Sequence, residues 1–379
     1  MSAQPLKILI IALLFMASAA PFSAVAAAEP TAEASQQWWN APYPERFDKA
    51  SLKPQPLIRV VGNHFEDDQG STVIFRGVNI ADPDKLVRQQ QWGEALFDEL
   101  SRNWAVDTVR LPVHPTAWRQ VGKEAYLALL DDAVRWANAR GMYLILDWHS
   151  IGYLPTEQYQ HPMYDTTIKE TRDFWRTVSF RYQGIPTIAI YELFNEPTTQ
   201  GETLGKRNWA EWKRLNESLI DMIYAADETA IPLVAGFNWA YDLSYIKRKP
   251  IDRDGIAYAV HPYPQKAKVS EETDAAYFKE WDKIWGFATK NYPVIATELG
   301  WVQPDGYGAH VPVKNDGSYG PRIVRYMQEH GVSYTVWVFD PDWSPTMIDD
   351  WNFTPSEQGA FFKNVLQQAR TANSPADPN

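Results

Sequence analysis

Two glutamates, Glu196 and Glu298, each follow an apolar run that reads as a β-strand: Ile188 to Phe194 before the first, Val294 to Thr297 before the second. Side chains brought together from two such strand ends suit acid/base work on a C–O bond, where one carboxyl gives a proton and another acts as an anion. Other polar residues fall at the ends of similar runs. Arg110 lies near the end of Thr108 to Val113, with His114 just beyond. Asp147-Trp148-His149 closes a third run, Asn195 precedes Glu196, His261 and Tyr263 follow a sixth, and Trp337 lies in the last. A glutamate at one strand end is usually a salt-bridge partner or a helix cap. Two of them with six fitting companions point to a catalytic centre.

The elements that must position these residues alternate. Short β-branched runs are Ile74–Ile80, Thr108–Val113, Tyr143–His149, Thr187–Asn195, Pro232–Ala235, Ile256–His261, Val294–Glu298 and Ser333–Phe339. Amphipathic stretches separate most of them, at Trp92–Asn103, Glu124–Arg140, Thr167–Phe180, Asn208–Ala226, Glu271–Lys290, Gly320–His330 and Ser356–Thr371, with the connection after the fifth run the weakest. Alternation of this kind predicts a parallel sheet. Eight strand–helix units predict a (β/α)8 TIM barrel, whose usual size is about 250 residues and whose chemistry sits at the carboxyl ends of the strands. Strands four and seven are expected to face each other across it. Leu57–Val61 and Thr72–Phe75, joined through Asp67-Asp68-Gln69-Gly70, read as an N-terminal hairpin closing the barrel bottom. The alternative, an open doubly wound sheet, normally carries a Gly-rich phosphate loop after its first strand, and Ile80-Ala81-Asp82-Pro83 is not one.

Composition narrows the chemistry. The 379 residues carry a net charge of −11, the wrong sign for binding nucleic acid. With no cysteine, disulfides, thiol catalysis, iron–sulfur clusters and cysteine-ligated zinc are excluded together. Seventeen tryptophans exceed what core filling needs and offer flat faces for a ligand. Residues 1–28 hold one charge, Lys7, then the apolar run Ile8–Ala17 and small residues ending in Ala26-Ala27-Ala28, the pattern of a secretory signal peptide. Residues 29–56 form a Pro-rich lead-in, 57–371 the catalytic barrel, and 372–379 a flexible tail. The expected location is secreted or periplasmic, without membrane attachment after signal cleavage; nothing in the sequence sets an oligomeric state.

The ordered set Arg110, His149, Asn195-Glu196, His261, Tyr263, Glu298 and Trp337 resembles glycoside hydrolase family 5, the cellulase family, over the stretch from Phe75 to about Phe362. The resemblance implies retaining hydrolysis of internal β-1,4 bonds in a polysaccharide, with Glu196 as general acid/base, Glu298 as nucleophile, and no metal or cofactor. Arg110 and the Tyr263 hydroxyl would hold Glu298 ionised, Asn195 would bond the sugar 2-hydroxyl, His149 and His261 would shape the network, and Trp337 would floor the cleavage subsite. Trp118, Trp148, Trp239, Trp301 and Trp343, in or beside rim loops, are candidates for further subsites. Asp147 would orient His149 or bond a loop backbone. An endo-β-1,4-glucanase is the expected activity. The same family admits a β-mannanase, a β-1,3-glucanase or an exopolysaccharide-processing glycosidase, and a barrel that binds polysaccharide without cutting it is the non-catalytic alternative. A metal-dependent barrel built on His114, His149 and His261 lacks a His-x-His pair on strand one, and no Gly-x-Ser-x-Gly supports a serine esterase.

Overall fold

The computed structural model describes residues 40–198 and 208–373. The expected signal peptide, residues 29–39 of the lead-in and residues 374–379 of the tail lie outside the described residues. All elements below belong to the compact unit that begins at Pro42.

Eight parallel strands close into a barrel: β1 (Arg76–Ile80), β2 (Thr108–Val113), β3 (Tyr143–Trp148), β4 (Ile188–Glu192), β5 (Pro232–Ala235), β6 (Ala257–Val260), β7 (Val294–Ala296) and β8 (Ser333–Phe339), with β8 pairing back onto β1. Each expected strand is present, several of them shorter by a residue or more at an end. The helices between them bury one face. In Glu94–Arg102 that face is Leu96, Phe97 and Leu100, spaced for a 3.6-residue turn. Ile168–Arg181 starts where Thr167 accepts a hydrogen bond from the Glu170 amide at 3.0 Å, a cap worth about 1 kcal/mol. After β5 the chain makes only Phe237–Ala240 and the short 3-10 turn Ser244–Lys247. Two further helices, Pro83–Arg88 and Pro115–Val121, absent from the expected set, begin at prolines, whose fixed φ suits the first helical position.

Strand periodicity sorts the barrel into layers. On β2, Val109, Leu111 and Val113 pack outward into the large core beneath the helices. On β3, Leu144 and Leu146 do the same, while Ile145 joins Ile190, Leu233, Ala257, Ala259 and Ile295 in a separate apolar core inside the barrel. One or two steps further along six of the strands, or just past their ends, the inward positions turn polar: Asn79, Arg110, Asp147, Glu192, Thr297 and Thr335 are all fully buried. Because successive side chains alternate faces, this polar layer is fixed by the same register that places the apolar one below it. Gly77 allows a close approach of β1 to β2, since a Cβ there would lie 1.7 Å from the Thr108 carbonyl oxygen.

The barrel bottom is closed by a three-stranded sheet, not a two-stranded hairpin. Arg59–Val61 and Thr72–Val73 each pair with a central strand, His64–Glu66, that the sequence reading passed over. The omitted signal was Gly62-Asn63, a two-residue turn in which Gly62 takes a φ of 59°. Phe65 from this sheet packs 5.3 Å from Phe75, which meets Tyr143 at 5.6 Å. The end of the lead-in is also part of the wall: Phe47 is buried, and the Lys53 amide donates to Asn138 Oδ1 at 2.7 Å.

Candidate active site

At the carboxyl end of the barrel, Arg110 projects inward from β2 and is wholly buried. Its Nε donates to Glu192 Oε2 at 2.6 Å; Nη1 donates to Asn79 Oδ1 at 2.8 Å and Glu298 Oε1 at 3.0 Å. Nη2 donates to Asn195 Oδ1 at 2.7 Å and stands 2.9 Å from Asp147 Oδ2. These partners come from β1, β3, β4 and the segments after β4 and β7, so one guanidinium ties together much of the ring.

Glu298 follows β7, with its backbone pinned on both sides. The Thr297 carbonyl accepts from Asn79 Nδ2 at 2.8 Å and from Thr335 Oγ1 at 2.7 Å, and the Leu299 carbonyl accepts from the Trp337 amide at 2.9 Å. Its second oxygen accepts from the Tyr263 hydroxyl at 2.9 Å. Glu196 is reached differently. Above the barrel, Glu196–Pro197 pairs in parallel with Ile151–Tyr153, which in turn pairs with Gln158–Tyr159, so a second small sheet extends β4 past its end. The Glu196 amide donates to the Ser150 carbonyl at 3.0 Å. Its carboxyl meets His261 Nδ1 at 2.9 Å and has no hydrogen bond to arginine among those of the described residues.

Strands β4 and β7 stand three places apart around the ring rather than diametrically opposite. The two glutamates converge all the same: an oxygen of Glu196, one of Glu298 and a nitrogen of His261 lie within 4.8 Å of one another. Three such ligand atoms could geometrically take a divalent cation. Arg110, 3.0 Å from Glu298, already supplies the positive charge such an ion would bring.

Four carboxyls share this pocket with a single arginine, and burial works against their ionised forms. It pushes Glu196 up to about 7, against the attraction of Lys266 and Arg110. Asp147 and Glu192 also rise to about 7 by burial, opposed by Arg110. For Glu298 burial again dominates and the net shift is upward, although His261, Arg110 and the Tyr263 hydrogen bond all oppose it. Arg110 and Tyr263 are the groups expected to hold Glu298 ionised. Their contacts are present, but desolvation outweighs them. Both histidines are driven toward the neutral form by burial, His261 to about 3 and His149 well below its usual value.

His149 sits over the cleft with Nδ1 2.6 Å from Asp147 Oδ2, so Asp147 orients His149 rather than a loop. The ring stacks on Trp337 at 5.5 Å and 6°. Trp337 in turn lies parallel to Trp343 at 6.1 Å. The cavity over the two glutamates, about 500 Å³, is lined by residues that include Asn195, Glu196, Glu298, Tyr263, Trp239 and Trp337. A neighbouring cavity of about 420 Å³ shares His149, Tyr164 and Trp337 with it and reaches Trp343.

Three of the five rim tryptophans are not at the cleft. Trp148 is fully buried, stacked on Phe174 at 4.2 Å with its Nε1 donating to Thr171. Trp118 packs edge-on to the same Phe174, and Trp301 is enclosed by Phe361, Phe362 and Tyr319. Trp148 sits on the outward phase of β3, and all three rings are buried in the apolar core around the barrel. Unassigned in the sequence reading were Asn79, Glu192, Thr297 and Lys266. A usable signal existed for Glu192, a lone charge inside the apolar run Ile188–Phe194.

A closed parallel (β/α)8 barrel with paired carboxyls at the mouth, beyond β4 and β7, defines a glycoside-hydrolase barrel. Residues 66–342 match the family model described as Cellulase (glycosyl hydrolase family 5), and the chain belongs to that family. It is 26% identical over 306 residues to Endoglucanase A of Butyrivibrio fibrisolvens, covering 78% of this chain and 63% of that protein. To Endoglucanase E-5 of Thermobifida fusca it is 23% identical over 298 residues, covering 75% and 56%. The chain thus spans less than two-thirds of the length of either relative. A solved β-glucanase from Saccharophagus degradans, in complex with cellotetraose, is 71% identical, with a TM-score of 0.86 over 88% of this chain and 100% of that one.

Removing the Arg110 cation would leave Asp147, Glu192 and Glu298 buried without a counter-charge. Arg110→Met is expected to destabilise the fold by roughly 3–5 kcal/mol in urea unfolding. Wild-type stability in that variant would show that the guanidinium does not neutralise the cluster.

Proposed function

We propose that this protein is a retaining endo-acting β-glucanase that cleaves internal β-1,4 bonds of a glucan, with Glu196 as general acid/base and Glu298 as nucleophile. The observation that carries the reading is the opposite company kept by two neighbouring carboxyls. Glu298 receives hydrogen bonds from a guanidinium and a phenol, which favour the anion that attacks an anomeric carbon. Glu196 faces a neutral imidazole, with no arginine contact, and burial raises it to about 7. That keeps a proton available for the departing oxygen. An oxygen of Glu196 and one of Glu298 within 4.8 Å of each other also favour retention over inversion, in which carboxyls about 6.5–9.5 Å apart leave room for a water between base and sugar.

In the first step Glu298 attacks the anomeric carbon while Glu196 protonates the leaving oxygen. In the second, Glu196 takes a proton from water, and the hydroxide oxygen displaces Glu298. Asn195 suits the 2-hydroxyl: its Oδ1 is held by Arg110, and its Nδ2 is buried without a hydrogen-bond partner, a donor free for substrate. Trp337 provides the apolar floor, with Trp239 and Trp343 toward opposite ends of the joined cavities as further sugar platforms. The β-1,4-glucan assignment draws on the endoglucanase relatives and on the 71% identical β-glucanase complexed with cellotetraose. An activity screen over β-1,4-, β-1,3- and mixed-linkage glucans and mannans, with product sizing, tests it. Exclusive mannan or β-1,3-glucan cleavage would overturn it.

Glu298→Gln is expected to abolish turnover while oligosaccharide binding persists, and the wild-type enzyme to release its first product with the anomeric configuration retained, as read by NMR. Substantial residual hydrolysis, or an inverted product, would sink the nucleophile assignment.

Because the acid must carry its proton, kcat/KM should fall as pH rises through about 7, where Glu196 ionises. Glu196→Ala should slow unactivated glycosides far more than aryl glycosides with good leaving groups. Equal losses on both would contradict the acid role.

We also propose export from the cytoplasm, with residues 1–28 as the signal, on the strength of the single Lys7, the Ile8–Ala17 run and the alanines that follow. Intact-mass measurement of the expressed protein is expected to show their removal; a full-length mass in the exported fraction would refute it. Among the described residues no helix is long and apolar enough to cross a membrane.

A further inference from the structure

Behind the two glutamates, a chain of contacts runs through groups to which the reaction as described gives no task. Glu192 Oε1 accepts from Thr297 Oγ1 at 2.9 Å, Thr297 Oγ1 meets His261 Nε2 at 3.0 Å, and His261 Nδ1 meets Glu196 Oε1 at 2.9 Å. Glu192, Thr297 and His261 are all fully buried, so water is not an alternative partner for any link. We propose that Thr297 is a positioning residue: its single hydroxyl proton, committed to Glu192, forces His261 to carry its own proton on Nε2 and to present Nδ1 to Glu196 as a hydrogen-bond acceptor.

The argument is one of proton counting. Glu192 is bound through its other oxygen to Arg110 Nε at 2.6 Å, a contact that favours its anion against burial, and the anion can only accept. A threonine hydroxyl has one proton and two lone pairs. With that proton given to Glu192, the Thr297 oxygen can only accept from the imidazole. A neutral histidine has one N–H, here on Nε2, which leaves a lone pair on Nδ1. The nearest group to it is Glu196 Oε1; Glu298 Oε2 lies beyond hydrogen-bond range at 3.6 Å. A lone pair facing a carboxylate is repulsive, whereas a lone pair facing a carboxylic acid makes a hydrogen bond. The chain from Arg110 through Glu192, Thr297 and His261 therefore favours the protonated form of Glu196. Burial, which holds His261 neutral, is consistent with this.

Other charged and titratable groups act on Glu196 as well. Lys266 and Arg110 favour its anion, while Glu298 and Asp147 disfavour it, and the Tyr164 and Tyr263 phenols complete its surroundings. Thr297 is singular among these influences because it acts only through the imidazole's choice of nitrogen.

The inference rests on Glu196 being the acid/base, and the experiment separates the two. Thr297→Val keeps the shape and removes the hydroxyl, freeing His261 to place its proton on Nδ1 and donate to a Glu196 carboxylate. The alkaline limb of kcat/KM should then move down by about one pH unit, with a smaller loss on an activated aryl glycoside than on polymer. Thr297→Ser should keep the wild-type limb. Glu192→Gln should act like Thr297→Val: Arg110 takes the amide oxygen, the amide N–H₂ faces Thr297, and the direction of every hydrogen bond reverses. In the unaltered enzyme, nitrogen NMR of His261 should show Nδ1 unprotonated, a readout that stands even if a variant fails to fold. A protonated Nδ1, or an unmoved limb in a folded Thr297→Val, overturns the positioning role. If instead Glu196→Ala loses activity equally on both substrates, the acid/base reading itself has failed.

Discussion

One guanidinium in the throat of the barrel is the constraint on which the site depends. Five oxygens, from Asn79, Asp147, Glu192, Asn195 and Glu298, surround the five N–H groups of Arg110. A buried charge is tolerable only when it is paired and hydrogen-bonded throughout, and the planar fork of arginine can satisfy five partners at fixed angles where a lysine ammonium cannot. The cost of burial is shared, since each carboxyl would be intolerable there without the cation. The result is an array whose members cannot move independently. Glu298, Asn195 and, through Asp147, His149 all take their orientation from the same side chain.

The array also sorts its carboxyls. Asp147, Glu192 and Glu298 stand against the guanidinium at 2.6–3.0 Å, and Glu196 has the imidazole of His261 instead. Desolvation raises all four, so the pocket resists four negative charges around a single guanidinium. A proton kept by the group sits at lowest cost on the carboxyl without an arginine contact. The difference in role between two chemically identical side chains thus follows from which has direct access to the cation. Their apparent titration belongs to the cluster as much as to either residue.

How much of this was legible in the sequence follows from what each feature depends on. The eight strands and most long helices were readable because hydrophobic period is local, and residues at strand ends were readable because a barrel collects them at one mouth. Three features were not. The central strand His64–Glu66 is three residues long, too short for period to register, and only its Gly62-Asn63 turn marks it. The extension that carries Glu196 upward depends on pairing with Ile151–Tyr153, a contact over more than forty residues that no local pattern encodes. The tryptophans divide by phase: Trp337 faces the cleft, whereas Trp148, one residue from His149, is turned to the opposite side of its strand by the two-residue alternation. Applied to Asp147-Trp148-His149, that alternation would have placed Asp147 and His149 inside and Trp148 in the wall.

The same reasoning extends to the connection after β5, which looked weakest in sequence and carries a wall of the cleft. Asn238, Trp239 and Ala240 all adopt positive φ, a conformation costing roughly 1–3 kcal/mol at each residue with a side chain. Such a turn persists only if its surroundings over-determine it. Here Lys266 Nζ donates to the Asn238 and Trp239 carbonyls at 2.9 and 2.8 Å, and Trp239 Nε1 donates to Gln160 at 2.8 Å. The lysine is itself drawn out of water, so that burial lowers it to about 8, and the charge it retains acts on Glu196. A short segment with no regular periodicity is thereby held by partners from the segment after β6 and from the loop beyond β3, both distant in sequence. The strain is not legible residue by residue, because in Asn-Trp-Ala only the asparagine has any preference for a left-handed backbone. It becomes intelligible only once the barrel has brought Lys266 beneath it, and it then presents an aromatic face beside the carboxyl whose proton the proposed reaction transfers.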